Sequence, residues 1–331
     1  MASFRNQILI GDALTILQNL PDNFVQTCIT SPPYYGLRDY GIASQIGLEE
    51  TPDEYVTKLV EVFREVRRVL RNDGTLWLNL GDSYAAGKTG RDDSGDNGRF
   101  GGPRIEPKQR SAPAGLKPKD LIGIPWLVAF ALRADGWYLR SDIIWSKPNA
   151  MPESVEDRPT KSHEYLFLLS KSATYYYDNA AIREPHETAT TDKRRRVSIE
   201  EYEAAKVGRY IKKGEPELEK GRMSAKKDGY QYLGNPYGRN KRSVWTVASQ
   251  PYPESHFATF PPKLIEPCIL AGSRPGDIVL DCFMGAGTVA LVSIKHHRDW
   301  LGIELNPDYV QLSEKRIATV QQTLWESEAV S

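Results

Sequence analysis

Two short segments of this sequence combine residue types that can do chemistry. The first is Thr30-Ser31-Pro32-Pro33-Tyr34, which directly follows an apolar stretch. Two successive prolines fix the backbone, and the second supplies no N–H group, which turns the Pro32 carbonyl outwards. Ser31 and that carbonyl are both able to accept hydrogen bonds from an amino group, and Tyr34 is able to stack on a planar base. An irregular turn between a strand and a loop explains the same residues without any function.

The second segment, residues 283–288, is a glycine turn with the sequence Phe-Met-Gly-Ala-Gly-Thr. Gly285 and Gly287 permit a sharp turn and let a ligand approach the backbone, and the helix that follows offers free N–H groups. Glu304 ends the next apolar strand, where a carboxylate is able to accept hydrogen bonds from two ribose hydroxyls. Helix packing alone would explain the glycines, but with Glu304 in register the pattern favours an adenosine-type ligand.

Alternating strands and helices surround both segments. Apolar stretches predict strands at residues 7–10, 25–30, 75–80, 138–146, 165–170, 277–281 and 300–305. Helices are predicted at residues 13–20, 124–134 and 289–297. Two more are predicted to begin after Thr51, which opens a capping box, and after Asn306. The polar triplet at residues 72–74 is predicted to end the helix that follows Thr51.

This alternation predicts an α/β fold, with a doubly wound and mostly parallel sheet covered on both faces. Too few residues follow Thr288 to complete such a sheet by themselves. Both ends of the chain must therefore contribute strands to it.

Together the two segments resemble the signatures of the S-adenosylmethionine-dependent DNA amino-methyltransferases, which modify N4 of cytosine or N6 of adenine. Residues 31–34 are similar to the family's catalytic Asp/Ser/Asn-Pro-Pro-aromatic motif, and residues 283–288 to its cofactor motif Phe-x-Gly-x-Gly-Thr. The catalytic motif precedes the cofactor motif, which is the beta-type order of the family. The resemblance therefore implies a class I, Rossmann-like methyltransferase fold with circularly permuted motif order.

The resemblance also implies which residues act at the site and what they do. The catalytic set is Ser31, Pro32, Pro33 and Tyr34. The residues implied to bind S-adenosylmethionine are Asp12, Phe260, Lys263, Asp281, Phe283, Gly285, Gly287, Thr288, Glu304 and Asn306. The expected reaction is methyl transfer to the exocyclic amine of a base flipped out of double-stranded DNA. Serine rather than aspartate at position 31 favours N4 of cytosine, and N6 of adenine stays an alternative.

The chain is expected to form one methyltransferase domain with an insertion. The catalytic part covers residues 1–182, with a polar and glycine-rich loop at 81–118 that is expected to be flexible, and the cofactor-binding part covers residues 245–331. Residues 183–244 carry an excess of basic side chains, and such an insertion usually serves as the target-recognition region in this family. DNA contacts are expected at Arg194, Arg195, Arg196, Lys241 and Arg242. A solvated charged insertion would have the same composition.

Composition and cysteine spacing argue against several other classes. The 43 basic and 43 acidic side chains give a net charge of zero. No apolar run reaches the length of about 18 residues that a membrane-spanning helix needs, so no membrane role is expected. The three cysteines form no metal-ligand pattern and lack the context of a cytosine-C5 nucleophile, so we expect no metal and a structural role for each cysteine. Their number and spacing favour a reducing cytoplasm. The resemblance implies the cytoplasm of a bacterium or of a viral host.

Several alternatives stay open on the sequence. An RNA or protein methyltransferase would share the cofactor site, and a non-catalytic nucleic-acid-binding protein would share the scaffold. The resemblance also leaves room for a homodimer and for a cognate restriction endonuclease system, neither of which the residues themselves indicate.

Overall fold

The computed structural model describes residues 4–37, 41–42, 45–85, 115–185, 237–250 and 260–328. The chain divides into two compact units, one formed by Met1–Asp178 with Arg242–Ser331 and the other by Asn179–Lys241. The insertion expected at residues 183–244 therefore differs at both bounds from the second unit. Val244 belongs to a strand of the first unit because it pairs with Ile144. Most of the loop expected at residues 81–118 and most of the insertion lie outside the described residues.

The described residues of the first unit form one sheet of eight strands. They are β1 (Gln7–Ile10), β2 (Val25–Thr30), β3 (Leu70–Leu80), β4 (Tyr138–Ser146), β5 (His163–Ser170), β6 (Val244–Thr246), β7 (Ile278–Asp281) and β8 (Asp299–Glu304). Their order across the sheet is β1-β8-β7-β2-β3-β5-β4-β6. All neighbouring strands are parallel except β5, which runs antiparallel to both β3 and β4. The prediction of a mostly parallel α/β sheet that joins both ends of the chain is confirmed.

Helices connect the strands of this sheet. They are α1 (Ala13–Gln18), α2 (Pro52–Val69), α3 (Ile124–Ala134), α4 (Pro262–Gly272), α5 (Thr288–Lys295) and α6 (Pro307–Glu328). The predicted capping box is present, since the Thr51 hydroxyl accepts from the Glu54 N–H and the Glu54 carboxylate accepts from the Thr51 N–H, each at 3.2 Å. Every residue of β2 and β7 is buried, as is typical of central strands that are covered on both faces.

One predicted boundary is wrong. The polar triplet at residues 72–74 does not end α2, because that helix already ends at Val69 and β3 begins at Leu70. Leu70 is fully buried and pairs with Val25, and the register then shifts so that Thr75 pairs with Thr27. The triplet therefore lies within β3, at an irregularity in its pairing with β2.

The order of the strands determines where the two chemical segments meet. β2 lies beside β7, and β8 lies on the other side of β7. Because these three strands are parallel, their carboxyl ends at Thr30, Asp281 and Glu304 lie at the same edge of the sheet. Residues 31–34, the glycine turn and the residues after Glu304 therefore leave the sheet next to one another.

Candidate active site

A cleft of about 320 Å³ opens at this edge of the sheet. It is lined by residues from both chemical segments and from the turn after β1. The sequence-predicted residues that line it are Asp12, Ser31, Pro32, Pro33, Tyr34, Phe260, Phe283, Gly285, Thr288, Glu304 and Asn306. Among the described residues, the fold thus gathers most of the predicted catalytic and cofactor-binding set around one cavity.

Glu304 is the polar centre of the cofactor side of the cleft. Its carboxylate accepts from the backbone N–H of Gly285 at 2.7 Å and from that of Asn306 at 2.8 Å. Burial raises the pKa of Glu304, and the backbone hydrogen bonds oppose that rise. A carboxylate offers about four lone-pair sites, so the two backbone bonds leave acceptor capacity for the hydroxyls of a ligand.

Two turns hold the backbone around this carboxylate. The Asn306 side chain caps α6 by accepting from the Asp308 N–H at 2.9 Å, and Asp12 caps α1 by accepting from the Thr15 N–H at 2.9 Å. Gly285 has a φ of 50°, and a side chain at that position would point into space free of close contacts. The backbone there is open to a close approach by a ligand.

The walls beside Glu304 are largely apolar. Phe283, Ile303, Leu305 and Tyr309 line the cleft together with Phe260. A flat heterocycle gains stability between such side chains, while its sugar hydroxyls reach the carboxylate. The residues present therefore fit an adenosine group.

Gly287 does not line the cleft, and its predicted role in cofactor binding stays a prediction. Its φ is 78°, and a Cβ atom there would lie 3.1 Å from Ser313 Cβ and 3.3 Å from Met284 Cε. Ser313 belongs to α6 and donates to the Gly285 carbonyl at 2.7 Å. Gly287 therefore lets the glycine turn pack closely against α6.

We expect Gly287→Ala to lower the free energy of unfolding by about 2–4 kcal/mol, from backbone strain and crowding together. Urea unfolding measures this. Gly276→Ala is a matched control, because Gly276 has a φ of 81° but no atom within 4 Å of the added Cβ. Equal losses in the two variants would contradict the crowding argument.

Two further predicted cofactor residues also lie away from the cleft lining. Asp281 is only 2% exposed, and its Oδ1 accepts from the Thr30 hydroxyl at 2.7 Å and from the Phe283 N–H at 3.2 Å. It thus ties the end of β2 to the start of the glycine turn. Lys263 is exposed on α4, because the buried face of that helix is formed by its apolar residues.

The catalytic side of the cleft contains the Ser-Pro-Pro-Tyr segment, residues 31–34. Its backbone is anchored where the Tyr55 hydroxyl donates to the Pro33 carbonyl at 2.8 Å. The Tyr34 hydroxyl donates to Glu164 Oε2 at 2.7 Å, and Ser31 Oγ lies 3.4 Å from the same hydroxyl. Burial and the Glu164 charge raise the pKa of Tyr34.

Glu164 is a cleft residue that the sequence reading missed. It lies near the start of β5, lines the cleft, and forms an ion pair with Lys147 through its other carboxylate oxygen. Its only signal in the sequence is an acidic residue at the beginning of an otherwise apolar strand. The Tyr34 contact spans 130 residues of sequence, so local spacing does not indicate it.

The structure describes only two of the five predicted DNA contacts, Lys241 and Arg242. Arg194, Arg195 and Arg196 lie outside the described residues. Lys241, in the second unit, forms an ion pair with Glu184 at 3.5 Å. Arg242, in the first unit, is exposed, and its carbonyl accepts from the Trp245 indole at 2.6 Å. The DNA-binding role of all five residues stays a prediction.

The three cysteines are buried thiols that form no disulfide. Burial raises the pKa of the Cys28 thiol, which disfavours a thiolate nucleophile. Across the described ranges, no group of three or more His, Cys, Asp or Glu side chains has the arrangement to hold a metal ion. None of the helices in that part of the chain has the length and apolar character that crossing a membrane requires.

Comparison with known proteins identifies the family. A sequence model of the N6/N4 DNA methylase family matches residues 25–315. The chain is 47% identical over 307 residues to the Type II methyltransferase M.Cfr9I of Citrobacter freundii, covering 93% of this chain and 86% of that protein. It is 45% identical over 312 residues to the Type II methyltransferase M.SmaI of Serratia marcescens, covering 94% and 90%.

Solved structures agree on the fold. The PvuII DNA methyltransferase (cytosine-N4-specific) superimposes with a TM-score of 0.58 at 18% identity, over 95% of this chain and 90% of that one. A putative DNA modification methylase of Thermus thermophilus, in complex with S-adenosyl-L-methionine, gives a TM-score of 0.55 at 23% identity over 95% of both chains. These neighbours confirm the class I methyltransferase fold. With the family match across most of its length, the chain belongs to the N6/N4 family of DNA methylases.

Proposed function

We propose that this DNA methyltransferase transfers a methyl group from S-adenosylmethionine to the exocyclic amine of a base flipped out of duplex DNA, with N4 of cytosine as the preferred target. The observation that carries the proposal is the single cleft that contains both the Ser-Pro-Pro-Tyr segment and Glu304. A nucleophile held by the first is then close to a cofactor held by the second.

The cofactor side of the cleft has a defined task in this proposal. When bound, S-adenosylmethionine supplies an electrophilic methyl group on a sulfonium sulfur. Glu304 would hold the ribose hydroxyls through the acceptor capacity that its bonds to Gly285 and Asn306 leave. Phe283 and its apolar neighbours would hold the adenine ring and shield it from water.

The catalytic side prepares the amine of the target base. An exocyclic amine is a poor nucleophile, because its lone pair is delocalised into the ring. Hydrogen bonds from the amine to Ser31 Oγ and to the Pro32 carbonyl favour a more tetrahedral nitrogen with an available lone pair. Much of the rate would then come from holding this nitrogen in position, and the amine would release one proton as it gains the methyl group. The base must leave the duplex to reach the cleft, and Tyr34 offers it a stacking surface.

The choice of base rests on position 31. Serine in this motif is mostly associated with N4 of cytosine and aspartate mostly with N6 of adenine, and this chain has serine. Both side chains accept hydrogen bonds, so N6 of adenine is the second candidate. Double-stranded DNA is the proposed substrate, with the insertion and Arg242 as its contacts. A homodimer and a cognate restriction endonuclease stay predictions.

The first test is methyl transfer from labelled S-adenosylmethionine to unmethylated duplex DNA of diverse sequence, followed by mass spectrometry of the nucleosides. N4-methylcytosine is the expected product. N6-methyladenine would keep the mechanism and overturn the choice of base. Cofactor binding without any methylated deoxynucleoside would overturn the proposed function and favour RNA, protein or a non-catalytic role.

We expect Glu304→Ala to raise the Kd for S-adenosylmethionine by about 10- to 100-fold, because hydrogen bonds to a charged group are lost. Isothermal titration calorimetry measures the Kd directly. Glu314→Ala is the control, since Glu314 is exposed on α6 and does not line the cleft. A Kd for Glu304→Ala within threefold of wild type would contradict the assignment of Glu304.

A further inference from the structure

The hydroxyl of Ser31 can bind the target base in two opposite ways. A serine hydroxyl both donates and accepts hydrogen bonds. The amine of cytosine or adenine is a donor, and the ring nitrogen next to it is an acceptor. If Ser31 donates to that ring nitrogen, its hydrogen rather than its lone pairs faces this edge of the base, and the amine has a poorer acceptor. The direction of the Ser31 hydroxyl therefore matters for the proposed reaction.

The surroundings of Tyr34 fix the direction of its own hydroxyl. Glu164 Oε2 lies 2.7 Å from the Tyr34 oxygen, and Asn79 Oδ1 lies 3.1 Å from it. The Asn79 amide is oriented, because its Nδ2 donates to Glu164 Oε2 and to the Tyr165 carbonyl, each at 3.1 Å. Both neighbours of the Tyr34 hydroxyl thus accept. The single hydrogen of the Tyr34 hydroxyl therefore points towards Glu164 and Asn79, and the Tyr34 oxygen is available to accept a hydrogen bond from Ser31.

Glu164 is the only charged acceptor among the two that contact the Tyr34 hydroxyl, and an ion pair holds it in place. Its Oε1 forms an ion pair with Lys147 Nζ, and the two side chains are only 14% and 21% exposed. Lys147 follows β4 directly and lies 4.2 Å from the centre of the Trp145 ring, while Trp145 pairs with Glu164 across the two strands. The carboxylate is therefore fixed from the side opposite Tyr34.

We propose that Glu164 is a positioning residue that makes Ser31 a hydrogen-bond acceptor for the target amine. It acts through Tyr34, whose oxygen accepts from the Ser31 hydroxyl and so turns the Ser31 hydrogen away from the base and its lone pairs towards the amine. The distance from Ser31 Oγ to the Tyr34 oxygen is 3.4 Å; catalytic hydrogen bonds often shorten when a substrate binds. This inference rests on the proposed function.

Two substitutions of Glu164 distinguish this role from simple support of the fold. In Glu164→Gln, Lys147 attracts the amide oxygen, so the amide NH2 faces Tyr34 and reverses the hydrogen-bond direction. Glu164→Ala only removes the acceptor. We therefore expect Glu164→Gln to lower the single-turnover rate constant by about 10- to 100-fold. This loss should be at least as large as the loss in Glu164→Ala. A structural role would give the opposite order, since glutamine preserves packing better.

The experiment compares these variants in the wild-type and in the Tyr34→Phe background. Without the Tyr34 hydroxyl, the rate constants of Glu164→Gln and Glu164→Ala should converge. The cofactor Kd should stay close to wild type in both variants. Both should unfold at a lower temperature than wild type, because Lys147 loses its charged partner, so the rate constants are compared at a temperature at which both remain folded. Glu153→Gln is the matched control with an unchanged rate, because Glu153 is 16% exposed and paired with Arg158 but does not line the cleft.

Three results would overturn this inference while wild type remains active. In the first, the rate constant of Glu164→Gln is higher than that of Glu164→Ala. In the second, the two rate constants still differ in the Tyr34→Phe background. In the third, Glu153→Gln lowers the rate constant as much as Glu164→Gln does. If wild type methylates no duplex DNA at all, the proposed function fails, and the inference fails with it.

Discussion

Ser31→Ala is expected to lower the rate constant of methyl transfer by about 10²- to 10³-fold, the loss that follows removal of one preorganised hydrogen-bonding group. The variant keeps the shape of the segment, since Pro32, Pro33 and the Tyr55 bond to the Pro33 carbonyl are unchanged. It removes the side-chain acceptor of the amine. Single-turnover methylation with excess cofactor isolates this step.

Two further serine variants sharpen the result. Ser31→Asp keeps an acceptor and should retain more activity than Ser31→Ala. Ser83→Ala is the control, because Ser83 is also partly buried, follows β3 and does not line the cleft. The cofactor Kd should remain within twofold of wild type in all three. A Ser31→Ala rate constant within fivefold of the wild-type value would contradict the assignment of Ser31 as a catalytic residue.

Asp281→Asn is expected to change the pH dependence of stability. Burial raises the pKa of Asp281 to about 7, from an ordinary value of 3.8. Between these values the folded protein binds more protons than the unfolded chain, so stability falls as pH rises. An asparagine has no proton to lose, and its oxygen still accepts from Thr30 and Phe283.

The stability of Asp281→Asn relative to wild type should therefore increase by about 1.4 kcal/mol per pH unit from about pH 5 to about pH 7. Above that window the difference should be constant. Urea unfolding of both proteins in a pH series measures it, and all other titrating groups are common to the two. A difference that does not change with pH would show that Asp281 is already ionised at low pH in the folded protein.

The cleft could be predicted from the sequence because both of its segments follow strands. Residues 31–34 follow β2, the glycine turn follows β7, and Glu304 ends β8. In a parallel sheet all such positions lie at one edge, so their meeting follows from the strand pattern without knowledge of side-chain packing. The end of α2 at Val69 was not predictable in this way. The polar residues 72–74 have the composition of a loop, although they lie at an irregularity within β3.

The individual functions of the glycines and carboxylates were harder to predict. Gly285 and Gly287 look equivalent in the motif, yet only Gly285 lines the cleft, since α6 lies against Gly287. Asp281 and Glu304 both end strands, yet Asp281 is enclosed by Thr30 and Phe283. Which side of a turn faces the ligand depends on the helix packed behind it, and no local spacing encodes that neighbour.

The sequence by itself determined the fold class, the family and the two chemical segments, because these depend on residue types near the ends of strands. Only the tertiary structure showed that Glu164 lines the same cleft as the two chemical segments. β5 is antiparallel to its neighbours, so its first residues, rather than its last, lie at the edge where the parallel strands end. Strand direction is set by pairing across the sheet, and a sequence pattern of period two is the same in both directions.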